Sequence, residues 1–136
     1  LCHDVYLQAG YIGKPLPDRV IPYEYDADAV YIVATNNAGE VVGTIRLTIG
    51  SHFKTLDVWK NDLYSTRKKF IHKAVNGRSF EIGALAVDKD YRTMKVSWEL
   101  YRAAYLYAIS HNLNYALISM DARALRSLEM LGLAGY

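Results

Sequence analysis

The chain has 136 residues, of which 51% are hydrophobic and 22% charged. This balance is that of an average globular domain and excludes a disordered chain, and no stretch approaches the roughly 18 uninterrupted apolar residues of a membrane helix. A net charge of +2 is too small an excess to mark a nucleic-acid binder.

The single cysteine, Cys2, has no partner for an internal disulfide and cannot build a cysteine metal site, which points to a reducing, cytoplasmic setting. His3, His52, His72 and His111 are scattered without paired spacing, so no metal is expected. Tyrosine occurs 12 times, roughly three times its usual share. The chain opens at Leu1 without a methionine and stops at Leu133-Ala134-Gly135-Tyr136, which reads as the start of an unfinished element. One domain, incomplete at both ends, is expected. Residues 1–10 have no basic start followed by an apolar run, so they do not read as a signal peptide.

Residues 1–11 read as the end of a short helix stopped by Gly10. Residues 12–28 hold all three prolines and the acidic cluster Glu24, Asp26 and Asp28, and read as loop. Ala29 to Thr35 is β-branched and aromatic, a strand. Asn36-Asn37-Ala38-Gly39 is a turn, because Asn tolerates and Gly prefers positive φ. Glu40 to Ile49 alternates and forms the partner strand of a hairpin.

Residues 51–78 read as one or two short helices separated by loop, with Arg67-Lys68-Lys69 as a solvated basic run. Ser79 to Val87 is a strand, with Gly83 as the expected bulge. Thr93 to Ser110 is a long helix whose packed face is Ser97, Leu100, Tyr101, Ala104, Tyr105 and Ala108. Tyr115 to Met120 reads as an interior strand buried on both sides. Asp121 is placed to cap a last helix over Ala122 to Leu131, with Gly132 as its stop. Strand, helix and strand over 79–120 imply a parallel crossover. With the antiparallel hairpin, the fold class is a mixed α/β (α+β) sheet.

The block Phe80-Glu81-Ile82-Gly83-Ala84-Leu85-Ala86-Val87-Asp88-Lys89-Asp90-Tyr91-Arg92, followed by an amphipathic helix, resembles the cofactor-binding core of the GNAT N-acyltransferase superfamily. Val41-Val42-Gly43-Thr44-Ile45-Arg46-Leu47 resembles its second strand, and residues 124–133 resemble its late helix, so the likeness runs over about residues 29–136. Two branches are more similar still: the acyl-homoserine lactone (autoinducer) synthases and the long-chain N-acyl amino acid synthases. The residues that carry this are Val5-Tyr6 with Gly10-Tyr11, the acidic loop at Asp26 and Asp28, Gly43-Thr44-x-Arg46-Leu47, and Glu81-Ile82. The resemblance implies a mostly antiparallel central sheet flanked by helices, with the parallel crossover at 79–120.

It also implies a chemistry. An acyl group would pass from an acyl carrier protein or coenzyme A thioester to the amine of an amino acid or related metabolite. Direct attack is expected, since no credible covalent nucleophile is present. In these proteins the central strand splays near its end and its main chain pairs with pantetheine. That role falls on Leu85, Ala86 and Val87, whose apolar side chains suit core residues equally well.

Arg92, Lys95 and Ser97 match the phosphate-binding turn before the long helix. Lys95 and Ser97 replace the family's small residues and limit close backbone approach, which favours the single phosphate of a carrier-bound phosphopantetheine. Lys89, Arg92, Lys95 and Arg102 then form either a basic rim for an acidic carrier protein or ordinary solvated charges.

Glu81 is the expected general base; its competing role is a structural pair with Arg46 or Arg78. Arg46 either binds the acceptor's carboxylate or orients Glu81, or else faces solvent on its strand. Asp26 either binds an acceptor amine or caps a turn, and Asp28 fits a turn. Tyr25, with Tyr6, Tyr11 and Tyr23, crowds the region where these families bind the acceptor; a phenol offers an apolar body with a polar tip.

Two departures stand out. Autoinducer synthases carry Arg three residues after the strand Glu, where this chain has Ala84. GNAT acetyltransferases often carry an acid Tyr where this chain has Leu128, but a thiol leaves readily without one. Two other functions fit the same residues: an acetyl-CoA-dependent N-acetyltransferase of small groups, and a degenerate domain that binds an acyl ligand or a protein without turnover.

Overall fold

The computed structural model of the protein describes residues 1–50, 52–92, 94–130 and 132, and the side chains of all of these except 60–66, 94 and 127. The expected helix start at Thr93, helix end at Leu131 and terminal run Leu133–Tyr136 lie outside the described residues.

Strand β1 (Ala29–Thr35) and strand β2 (Val41–Ile49) form the expected antiparallel hairpin. Its turn is held by the Asn36 side chain, whose Oδ1 accepts from the amides of Ala38 and Glu40, both at 3.0 Å, while Gly39 takes φ +81. Strand β3 (Ser79–Val87) pairs antiparallel with β2, and strand β4 (Tyr115–Ile118) pairs parallel with β3, giving the order β1-β2-β3-β4. The crossover from β3 to β4 is helix α3 (Met94–Ser110). Two of the three strand pairs are antiparallel, as the resemblance implied.

Alternation divides the sheet into two unlike faces. Ile45, Leu47, Phe80 and Val87 lie on one, buried under Leu100, Ala104 and Ala108 of α3. Gly43 brings the helix close: a Cβ there would lie 3.1 Å from Leu100 Cδ1 and 3.2 Å from Val96 Cγ1. Tyr101 and Tyr107 pack at the margin of this core. Tyr105 does not, and is 64% exposed. It is the residue after Ala104, hence about 100° around the helix, beyond the stripe set by the i+4 series 100, 104, 108.

The other face carries Tyr31, Thr44, Arg46, Thr48 and Glu81, which are aligned across β1, β2 and β3 by the register. Its cover comes from three segments. Helix α1 (Cys2–Gln8) packs on β3. The 12–28 segment follows, with single 3-10 turns at Pro17–Arg19 and Asp26–Asp28. Helix α2 (Lys54–Asn76) closes the far end, where Phe53, Leu56, Ile71 and Ala74 pack against Leu117. Arg67 breaks the helical dihedrals of α2 (φ −132, ψ 29), so two helical segments meet there with almost no loop between them.

Asp121 caps helix α4 (Ala122–Met130) as expected, its Oδ1 accepting from the amides of Arg123 at 2.9 Å and Ala124 at 2.8 Å. β4 departs from expectation. It is short, it lies at the edge of the four-stranded sheet, and Ala116 is exposed. Its unbroken apolar sequence suggested burial on both sides, yet only Leu117 is fully covered. Among the described residues no helix is long and apolar enough to cross a membrane.

Candidate active site

The site is built on β3 at the place where its pairing changes. β3 pairs with β4 from Ser79 to Ile82 and then runs on to Val87 paired with β2 only. Among the described residues, no strand pairs with that side of 83–87. At the same place its register with β2 shifts: Arg46 opposes Gly83 and Thr44 opposes Ala86, so β3 takes three steps where β2 takes two.

The bulge sits at Ala84, which takes φ +48, one residue beyond the expected Gly83. Gly83 has a different role. A Cβ there would lie 2.9 Å from an Arg46 guanidinium nitrogen, so its lack of a side chain makes room for Arg46. Past the bulge Leu85 is half-buried, while Ala86 and Val87 are buried.

Glu81 lies two residues before Gly83 and is 4% exposed. Its Oε2 accepts the Thr55 amide at 2.7 Å, donated from the first turn of α2. Its Oε1 accepts the Tyr23 hydroxyl at 3.3 Å. That hydroxyl also bonds Thr48 Oγ1 at 2.8 Å. Among the described residues Glu81 is in no ion pair, and Arg78 instead donates to the His111 carbonyl at 2.9 Å. The expected alternative of a Glu81–Arg46 or Glu81–Arg78 pair is therefore absent from the geometry.

Arg46 does not face open solvent either. Its guanidinium carbon lies 3.2 Å from the centroid of the Tyr23 ring, and its buried Nε has no hydrogen-bond partner. A buried cationic donor left unmatched is costly and is suited to an incoming anion. Tyr31, opposite Arg46 in register, donates to Asp26 Oδ1 at 2.7 Å, and Tyr25 donates to Asp57 Oδ2. Asp26 thus reaches the neighbourhood of Arg46 through Tyr31, while Tyr25 meets the site only by an edge-on ring contact with Tyr23, with centroids 5.6 Å apart.

These phenols stay protonated well beyond neutral pH. Burial pushes the Tyr23 hydroxyl up, and the neighbouring Glu81 adds to this. Burial and the bond to Asp26 push Tyr31 up, and the bond to Asp57 raises Tyr25 to about 12. Burial also raises the Cys2 thiol, which suits a packed cysteine rather than a thiolate nucleophile.

At the other end of β3, Arg92 Nε donates to the Val87 carbonyl at 3.2 Å and its Nη2 donates to Gln8 Oε1 at 3.3 Å. Arg92 therefore joins the strand end to α1. Lys89 and Lys95 are exposed and Ser97 is half-buried. Arg102 is paired with Glu99 at 3.1 Å. Leu128 is a buried core residue.

His3 is buried as well: its Nε2 accepts the Leu16 amide at 3.0 Å and its Nδ1 lies 2.9 Å from Asp4 Oδ1. Among the described residues no group of three or more His, Cys, Asp or Glu side chains is arranged to hold a metal ion.

The expected residues thus fall into two groups joined by β3. Glu81, Arg46, Asp26 and Tyr25 lie on the polar face, and Leu85, Ala86, Val87 and Arg92 lie along the open strand end. The contacts that sequence reasoning did not supply are the Tyr23 hydroxyl, Thr48, the Thr55 amide, Tyr31 and Asp57. Their only sequence signal was the excess of tyrosine near the N-terminus.

The mixed four-stranded sheet flanked by helices matches that of GNAT-like N-acyltransferases. Comparison with solved structures bears this out. A CoA-dependent acyl-homoserine lactone synthase, BjaI, superposes with a TM-score of 0.66 at 22% identity, over 96% of this chain and 61% of that one. FeeM, an N-acyl amino acid synthase from uncultured soil microbes, gives 0.65 at 16% identity, over 96% and 70%. An acetyltransferase from Trypanosoma brucei gives 0.57 at 20% identity, over 82% and 66%.

At these identities the likeness is one of fold, and the chain spans 66% or less of the acetyltransferase and of BjaI. No curated protein sequence matches the chain significantly. Membership is decided by sequence pattern: the N-acyl amino acid synthase FeeM family model matches residues 1–133, and the chain belongs to that family.

Proposed function

We propose that the protein is a cytoplasmic N-acyltransferase that moves an acyl chain from a phosphopantetheine thioester to the amine of an amino acid or related metabolite. The observation that carries this reading is the buried Glu81, in no ion pair among the described residues and held on β3 immediately before its pairing with β4 ends. The open backbone of Leu85, Ala86 and Val87 would receive the pantetheine amides. An acceptor's carboxylate would meet Arg46, whose Nε is unmatched. Its ammonium would lose a proton to Glu81, and the freed amine would then attack the thioester carbonyl directly. The C–S bond breaks as the amide forms, and the departing pantetheine thiolate takes up the amine's second proton and leaves as the free thiol. Asp26 and Tyr25 line the acceptor side.

Arg92, Lys95 and Ser97 would hold the donor's phosphate, and exposed Lys89 and Lys95 would face an acidic carrier protein. Lys95 and Ser97 at the family's glycine positions favour the carrier-bound donor over coenzyme A.

Thiol release tests this. The protein is incubated with acyl carrier protein and coenzyme A donors of short and long chain, with a panel of amino acids and amines. Release with a medium or long acyl donor is expected. Turnover of acetyl-CoA alone makes it a small-group acetyltransferase. Pantetheine binding by folded protein with no release from any donor overturns the catalytic reading.

A further inference from the structure

The buried anion and the half-buried cation of the site are separated by one side chain. Tyr23 lies between them: its hydroxyl reaches Glu81 Oε1 at 3.3 Å, and its ring lies beneath the Arg46 guanidinium at 3.2 Å. Arg46 and Glu81 share a sheet face and lie on adjacent strands, two register positions apart, since Thr48 is adjacent in register to Glu81 and Arg46 to Gly83. An Arg in that position reaches a neighbouring carboxylate readily, and direct pairing would satisfy both charges. The geometry shows another arrangement: the guanidinium is stacked on the ring and the carboxylate is bonded at the ring's polar tip.

We infer that Tyr23 is a positioning residue that keeps Arg46 and Glu81 apart and fixes the Glu81 carboxylate for proton abstraction. The inference rests on the acyltransferase reading of the site.

Three observations carry it. The Tyr23 hydroxyl has a second partner, Thr48 Oγ1 at 2.8 Å, and Thr48 is 1% exposed, so the phenol tip is fixed from the sheet. The Thr48 hydroxyl donates to Tyr23 and Tyr23 donates to Glu81, a chain in which each bond polarises the next. Tyr23 keeps its own proton, because burial and the neighbouring carboxylate both oppose its ionisation. It therefore orients Glu81 without competing for the acceptor's proton. With the Thr55 amide on Oε2, the carboxylate is held at both oxygens, and Oε1 retains lone-pair capacity for the substrate. A ring beneath Arg46 also leaves its Nε unmatched by any protein acceptor among the described residues, a donor suited to an anionic ligand.

The test compares Tyr23→Phe and Tyr23→Leu in the full chain with a donor that supports wild-type turnover. Phenylalanine keeps the ring under Arg46 and removes only the hydroxyl. It should lower kcat about 10- to 100-fold with the acceptor KM nearly unchanged. Leucine removes the ring as well, and should also raise the acceptor KM. On a Glu81→Gln background, Tyr23→Phe should produce no further loss, because it acts through Glu81.

A folded Tyr23→Phe with wild-type kcat overturns the inference, and so does a double variant in which the two losses multiply. Absence of wild-type turnover with any donor overturns the acyltransferase reading itself, and the inference with it. A crystal structure of Tyr23→Leu gives a readout independent of turnover: Arg46 is expected to swing to Glu81 and pair with it, and an unmoved Arg46 counts against the separating role.

Discussion

The two faces of the sheet are built from the same strands, yet they solve opposite problems. The face under α3 buries Ile45, Leu47, Phe80, Leu100 and Ala104 with no polar group among them. The face under α1, the 12–28 segment and α2 buries a carboxylate and half-buries a guanidinium, with only neutral donors and rings between them. The first gains stability from area removed from water and from close packing. The second gives up some of that gain to keep charges desolvated and unpaired, an arrangement typical of functional sites. One strand set therefore separates stability from chemistry by alternation alone.

Substitutions on the two faces should separate accordingly. The largest effect is expected at Glu81. Glu81→Gln keeps an acceptor for the Thr55 amide, and its NH2 donates to a Tyr23 hydroxyl that turns toward Thr48, so the fold should hold. The kcat for amine acylation should fall about 10²- to 10⁴-fold, the usual contribution of a general base. A large drop in Tm with kcat per folded molecule unchanged would place Glu81 with the structural residues instead.

Leu47→Ala is the matching change on the other face. Leu47 is 0% exposed beneath α3, and its truncation should cost about 2–5 kcal/mol in denaturant unfolding. Its kcat at saturating substrate should stay close to wild type while the protein is folded. A selective loss of turnover at unchanged stability would show that the two faces are not independent.

The bulge between the faces gives a smaller effect of opposite sign. Ala84 takes φ +48, a region where an L-residue is strained and glycine is not. Ala84→Gly should raise stability by about 0.5–1 kcal/mol, the relief of strain exceeding the entropy gained by the unfolded chain. Urea midpoints measure this, and a lower midpoint would mean that the left-handed backbone at Ala84 is not a strained element.

The sequence was legible where structure is local. The hairpin followed from alternation and the Asn36-Asn37-Ala38-Gly39 turn, and Leu100, Ala104 and Ala108 from helical spacing. Glu81 and Arg46 were reachable because they sit within motifs that resemble the family's. The bulge moved from Gly83 to Ala84 because it is set by register against Thr44 and Arg46, not by which residue bends most easily. Gly83 is glycine for another reason, the guanidinium that passes over it. Tyr23 was one tyrosine of four in a crowded segment. Its contact with Glu81 spans 58 residues of sequence, and no periodicity encodes such a contact. β4 read as interior from its composition, but position within a sheet depends on the partners available, and only β3 pairs with it among the described residues.

The smallest expected effect concerns how the cover of the polar face is held down. That cover depends on polar ties: Arg19 to Asp4, Leu16 to His3, Tyr11 to Asp121, and Arg92 to Gln8. The core under α3 buries no carboxylate among the described residues, so acid should act on one cover and spare the other. The Arg19 guanidinium, with the His3 ring beside it, holds the Asp4 carboxyl at about 2, below its ordinary 3.8. A carboxyl lowered by folding adds stability above its unfolded value, and that stability disappears as pH falls through the folded value. The Asp4 contribution should therefore be complete above about pH 4 and gone below about pH 2. Asp4→Asn removes the charge at every pH. Its Tm should lie below wild type at neutral pH by a small margin, since the pair is exposed to solvent, and the two curves should converge as the pH approaches 2. A gap that stays constant down to pH 2 would show that the segment is held by packing of its tyrosines rather than by this charge.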